Sequence, residues 1–236
     1  MIQEHCDIVA PTLCVYQENL VTAQNKGSIL FFHGLGSSKD QQKTELYSLA
    51  ERGFLAIGID NIGHGERRYP DFEKRFASDN PQFGNELLQA VNQTAQETAY
   101  LIEAYIQKGI ILADKIGLIG VSMGGYIAYA ALLAERRIKA ASVILGSPYW
   151  WEADFDSPHQ HLEGFFPCAI LSQNAGLDQS VPAHYARDFH RHLSPYYQSA
   201  PERQHYIEYP ESGHFMREQD WHQCWGNSLD WLERFV

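Results

Sequence analysis

Short runs of continuous apolar residues alternate with longer stretches of helical period along this chain. Ser28-Ile29-Leu30-Phe31-Phe32 is apolar almost throughout, as a strand covered on both faces must be. Leu55 to Asp60, Lys115 to Ile119, Ala140 to Leu145 and Ala169 to Ser172 repeat that pattern. Amphipathic helices are predicted between them, at about Lys39 to Arg52 with a stop at Gly53, and at about Asn85 to Lys108. Another opens after Ser122, one runs from Pro182 to about Leu193, and Asp220 to Phe235 closes the chain. His205 to Tyr209 alternates as a strand, and Asn61 to Pro81 is irregular. Residues 1–27 predict a β-hairpin or meander, from the alternation in Leu13-Cys14-Val15-Tyr16 and the turn signal Asn25-Lys26-Gly27.

Apolar strands alternating with amphipathic helices imply right-handed βαβ crossovers. The fold class is therefore α/β: a mostly parallel, twisted sheet with helices on both faces. The length suits a single domain over residues 1–236. Ligands of such sheets bind beyond the carboxyl ends of the strands. The unusual loops all fall at those ends: His33 to Gly36, Asp60 to Gly65, Ser122, Tyr149 to Trp151, Asp178 and His214.

Composition narrows the partners. The formal net charge is −11, and Lys and Arg occur in nothing longer than pairs such as Arg67-Arg68. That balance argues against nucleic acid or an anionic membrane as the main partner. No apolar stretch approaches the ~20 residues of a membrane span. The N-terminus, Met1-Ile2-Gln3-Glu4-His5, lacks the charged head and apolar core of a signal peptide. The four cysteines are scattered without a C-x-x-C pair, which fits free thiols and a cytoplasmic location.

The most specific chemistry lies at Gly120-Val121-Ser122-Met123-Gly124. A strand ending in G-x-S-x-G and opening into a helix is the setting of a nucleophile elbow. A serine hydroxyl needs a base within hydrogen-bond reach and a third group to orient that base. The candidate base is His214, between the last strand and the last helix. The candidate acid is Asp178, after the strand at Ala169 and before Pro182, with Asp154 and Asp156 as rivals. The backbone N–H groups of Met123 and of Leu35, in the glycine-flanked loop His33-Gly34-Leu35-Gly36, are candidate oxyanion donors. His159/His161 and His190/His192 read as surface residues, and His33 as a core-bonded imidazole.

These motifs together resemble the α/β-hydrolase superfamily over nearly the whole chain. His33-Gly34 matches its oxyanion loop, Asp60-Asn61-Ile62-Gly63-His64-Gly65 its D-x-x-G-H-G loop, and Gly120 to Gly124 the elbow. Asp178 with Val181-Pro182 matches the D-x-x-V-P acid motif, and Gly213-His214 the base. The acid motif and small size are similar to the dienelactone-hydrolase-like and prolyl-oligopeptidase-like esterases. Many of these carry His-Gly where this chain has Asn174-Ala175. The resemblance implies a serine hydrolase of the carboxylesterase kind, acting on a small or medium ester through an acyl-enzyme on Ser122. A thioesterase, a small peptidase and a non-catalytic binder on the same scaffold remain open.

The family inserts its lid after the strand ending at Leu145, so a short lid-like insertion is expected at about 147–167. Aromatic residues crowd it and the stretch after Asp60. Half or more of them should pack the lid onto the core. The candidate substrate contacts are Trp150, Trp151, Phe215 and His64. No cofactor and no metal is expected, and the expected partner is a small-molecule ester.

Overall fold

A computed structural model describes residues 1–152 and 154–236; Ala153, inside the segment expected to form the lid, lies outside the described residues. The chain opens with β1 (Ile2–His5) and β2 (Thr12–Tyr16), followed by α1 (Leu20–Lys26), β3 (Ser28–Phe32), α2 (Lys43–Glu51) and β4 (Leu55–Ile59). A short α3 (Phe72–Arg75) and the long α4 (Phe83–Gln107) precede β5 (Ile116–Val121), α5 (Met123–Ala134) and β6 (Ile138–Ile144). The last elements are β7 (Ala169–Ala175), α6 (Ala183–Leu193), β8 (Gln204–Tyr209) and α7 (Glu218–Phe235).

Among the described residues these strands form one sheet in the order β1-β2-β4-β3-β5-β6-β7-β8. β1 pairs β2 and β2 pairs β4 antiparallel, and every later pairing is parallel. Register brings Phe32 beside Ile59 on one side and Gly120 on the other, so His33, Asp60 and the chain after Gly120 emerge at one edge. The strands alternate between two cores because successive side chains point to opposite faces. Leu30, Phe32 and Ile57 pack with Ile102, Ile127 and Phe189 of α4, α5 and α6. Ile29, Phe31 and Ala56 pack with Leu46, Leu49 and Leu232 of α2 and α7. This is the α/β-hydrolase fold.

The residues explain the elements. α4 buries Leu87, Leu88, Val91, Ala95, Ile102 and Tyr105, a stripe at helical spacing along one side. α2 ends where Gly53 takes φ +89°, a conformation a side chain would resist. Pro182 stands immediately before α6, where its missing N–H costs no helical bond.

Three expectations change. Residues 1–27 hold a hairpin plus a helix, α1. It is capped by Asn19, whose side chain accepts the Thr22 N–H at 2.9 Å, and anchored by Gln24, which donates to the Ile110 carbonyl at 2.7 Å. Only Ala23 and Gln24 of that helix are buried, so it carries no apolar stripe to read. β7 runs three residues past Ser172, because Asn174 and Ala175 still pair with β8. The irregular stretch after Asn61 contains a 3-10 turn, Gly65–Arg67, and α3. Among the described residues, no helix is long and apolar enough to cross a membrane.

Candidate active site

Ser122 joins β5 to α5 with φ 56° and ψ −116°, a conformation non-glycine residues rarely adopt. The two glycines flanking it are steric necessities. A Cβ on Gly120 would lie 2.0 Å from the Gly124 carbonyl oxygen, and one on Gly124 would lie 2.0 Å from that of Phe32. The tight turn pushes the hydroxyl out beyond the strand ends.

There it meets His214. Ser122 Oγ lies 2.9 Å from His214 Nε2, and His214 Nδ1 lies 2.7 Å from Asp178 Oδ2. A carboxylate can only accept, so the proton sits on Nδ1 and leaves Nε2 free to accept from the serine. The Asp178 side chain is wholly buried. Its other oxygen accepts the backbone N–H groups of Ser180 at 2.8 Å and Val181 at 2.9 Å. These bonds fix the carboxylate and stabilise its charge. Asp156 instead pairs with His161 at 2.7 Å, and Asp154 lies in the insertion away from His214.

The loop carrying Leu35 is locked from behind. The Gly34 carbonyl accepts His33 Nδ1–H at 2.8 Å and the Ser37 N–H at 3.2 Å. That carbonyl and the Leu35 N–H share one planar trans peptide, so fixing the first aims the second the opposite way. His33 Nε2 in turn accepts the Asn61 N–H at 3.2 Å, and Asn61 Nδ2 donates to the His33 carbonyl at 2.9 Å. Burial holds the His33 imidazole down at a pKa of about 4.

A cavity of about 610 Å³ opens over Ser122. Leu35, Met123, Trp151 and Phe215 line it together with Ser122 and His214. Trp151 is half-exposed and Phe215 almost fully exposed at the mouth. Two expected substrate contacts are elsewhere. Trp150 is buried in the core, its ring edge-on to Phe155 and its backbone N–H on Ser157 Oγ at 2.8 Å. His64 is also fully buried, edge-on to Phe72 with ring centres 5.0 Å apart, and its Nδ1 lies 3.0 Å from the Ile62 carbonyl oxygen. The turn at Gly63 and Gly65 folds it inward. A Cβ on Gly65 would lie 2.0 Å from the Asp60 carboxyl carbon.

His190 also departs from its expected surface position. It is buried, bonded through Nε2 to Ser172 Oγ at 2.7 Å, and burial takes its pKa down to about 3. Sequence reasoning missed Leu87, Tyr126, Met216 and Trp221, which also line the cavity, and held Phe83 only as one of the aromatics after Asp60 that could do so. Phe83 and Leu87 stand one helical turn apart at the start of α4, a spacing that signals a shared face. It also missed Lys39, a fully buried ammonium 3.0 Å from Asp60 Oδ2 and in contact with Glu66.

An elbow serine, a buried acid and an imidazole between them on this sheet define the α/β-hydrolase class. Within that class, residues 23–206 match the family described as serine aminopeptidase, S33, and the chain belongs to that family. It is 30% identical over 154 residues to YitV of Bacillus subtilis (strain 168), which carries the word esterase in its name. That match covers 65% of this chain and 53% of YitV. It is 26% identical over 122 residues to esterase YjfP of Escherichia coli (strain K12), covering 52% of this chain and 46% of YjfP. The chain thus spans about half the length of these curated relatives. The crystal structure of TT1662 from Thermus thermophilus superposes with a TM-score of 0.81 at 21% identity, over 98% of each chain.

Proposed function

We propose that this chain is a serine carboxylic ester hydrolase working through an acyl-enzyme. The observation that carries this reading is the unbroken line of hydrogen bonds from Ser122 through His214 to Asp178, opening on an apolar cavity. Ser122 Oγ attacks the ester carbonyl carbon as its proton passes to His214 Nε2. The tetrahedral oxyanion takes the N–H groups of Met123 and Leu35, the first at the positive end of α5. Asp178 stabilises the imidazolium and holds its tautomer. His214 then returns the proton to the leaving oxygen and the alcohol departs. Water repeats the sequence on the acyl-enzyme and frees the acid.

A peptidase selecting a free N-terminus needs a carboxylate to hold the ammonium. Among the described residues, none lining the cavity is an Asp or Glu. Residues 147–152 and 154–167 act as a short cap on the one domain, with Trp151 on its inner side. The test is a fluorophosphonate probe together with a panel of p-nitrophenyl esters. Wild type should be labelled and should hydrolyse esters, and Ser122→Ala should do neither. A labelled Ser122→Ala protein, or an unlabelled wild type, refutes the reading.

A further inference from the structure

The cavity straddles the edge of the sheet, and its two ends belong to different cores. At one end Leu87 and Tyr126 are members of the core under α4 and α5, and Phe83 packs against it. Trp151 joins this end by standing edge-on to Tyr126, with ring centres 6.2 Å apart. At the other end Met216 and Trp221 pack against the core under α2 and α7. Phe215 stands beside them, edge-on to His214 at 5.8 Å. Ser122 and His214 line the same cavity.

Both ends are apolar. No Asp, Glu, Lys or Arg lines the cavity among the described residues. A charged acyl or alcohol group would give up part of its hydration there without an opposite charge on the lining, which disfavours it against a neutral one. The two substituents of an ester carbonyl diverge from the reacting carbon, so each end takes one. Proton return decides which. His214 Nε2 must reach the leaving oxygen, and the chain leaving His214 leads through Phe215 and Met216 into α7.

Resting on the ester-hydrolase reading, we infer that the substrate is an uncharged ester apolar on both sides of the carbonyl, with the alcohol over Met216 and Trp221 and the acyl chain between Phe83, Leu87, Tyr126 and Trp151. The volume suits this assignment, since pockets of roughly 300–1,000 Å³ enclose drug-sized ligands. Gly84 supports the acyl end. A Cβ there would lie 2.4 Å from a Glu152 carboxylate oxygen and 2.7 Å from the Trp151 indole nitrogen, so the bare backbone of α4 is what lets Trp151 and the chain after it close that wall, with the Glu152 carboxylate behind the lining.

The experiment crosses two substrate series on the purified chain. One varies acyl length from acetyl to octanoyl with p-nitrophenol as the alcohol. The other varies the alcohol from ethyl to octyl with acetate as the acid. Trp151→Ala should lower kcat/KM for the long acyl esters relative to acetate by roughly 10-fold, the scale of a lost apolar contact, and leave the slope of the alcohol series in place. Trp221→Ala should do the reverse. Leu87→Phe, which fills the acyl end, should move the acyl optimum to shorter chains. Wild type should show no preference for hemisuccinate or aminoacyl esters over neutral ones of equal length. If both variants shift the same series, or if a charged ester is preferred, the inference falls while the ester-hydrolase reading stands. If wild type hydrolyses no ester and takes no probe, both fall.

Discussion

Two loop clusters sit on the same edge of the sheet and both set histidine near a buried aspartate, yet only one opens on the cavity. Around Ser122, Asp178 accepts one imidazole N–H and two backbone N–H groups, and the His214 ring stays partly open to the cavity. Around His33 and His64, Asp60 accepts the Lys39 ammonium at 3.0 Å and the backbone N–H groups of Lys39 at 2.8 Å and Glu66 at 2.9 Å. Each carboxylate thus holds three donors. In the first, the charge partner is an imidazole with its second nitrogen facing a hydroxyl. In the second, it is a permanent cation, and both histidine rings are sealed away from solvent. Histidine beside aspartate becomes chemistry when one ring nitrogen is left facing a cavity, and becomes scaffold when burial leaves it nothing to act on.

The widest separation between the clusters should come from paired substitutions. His214→Gln should lower kcat roughly 10⁴-fold, the scale seen when one member of such a relay is lost. His64→Gln should leave kcat close to wild type, because His64 lies outside the cavity, and should instead lower Tm. Steady-state kinetics with p-nitrophenyl butyrate decide it. A large loss in His64→Gln with activity retained in His214→Gln would reverse the two roles.

Asp178→Asn should cost on the order of 10⁴-fold in kcat, since an amide at Oδ2 favours the wrong His214 tautomer. Asp156→Asn breaks only the exposed pair with His161 and should leave kcat unchanged. Equal losses in the two variants would show that the bond between Asp178 and His214 has no special part in turnover.

Lys39→Met tests the sealed cluster. It leaves Asp60 charged, buried and short of its ammonium, a change worth about 3–5 kcal/mol for buried pairs. Urea unfolding should show that loss with the m-value retained. A loss below about 1 kcal/mol, the scale of an exposed pair, would mean that the cluster is open to water.

The sequence made the first cluster far more legible than the second. Ser122, Asp178 and His214 each follow a strand at the carboxyl edge, and each sits in a loop with its own glycine or proline punctuation. The sheet order then brings those loops together. Lys39 gave no such signal. It opens a polar segment, and charge alone reads as surface; its burial depends on Asp60 and Glu66, far along the chain. Trp150 and Trp151 were indistinguishable for a related reason. Adjacent aromatics in an irregular loop carry no period, so only the docked backbone decides which one faces the cavity. His190 was hidden by its neighbours, because a polar helix face with His192 and Arg191 gives no sign that one imidazole turns in to meet Ser172 and Gln204.

The finest comparison between the clusters is pH. Burial lowers the pKa of His33 to about 4 and lowers that of His64, so both are neutral in the folded chain where an unfolded imidazole, titrating near ~6.5, is already charging. The unfolded state therefore binds more protons, and stability falls as pH drops from ~6.5 toward about 4. His33 contributes up to about 1.4 kcal/mol per pH unit in that window, and His64 adds in the same direction. His190, with a pKa of about 3, adds to the same slope. Above ~6.5 all three are neutral in both states and drop out of the balance. His33→Gln should accordingly lose part of its stability at pH 7.5, where the bonds to Gly34 and Asn61 are given up. It should also depend less steeply on pH between 6.5 and 5, by one histidine's share. Urea midpoints at half-unit steps across that range give both quantities. A slope in His33→Gln equal to that of wild type would mean that His33 takes up its proton without unfolding, and so that the second cluster is as accessible as the first.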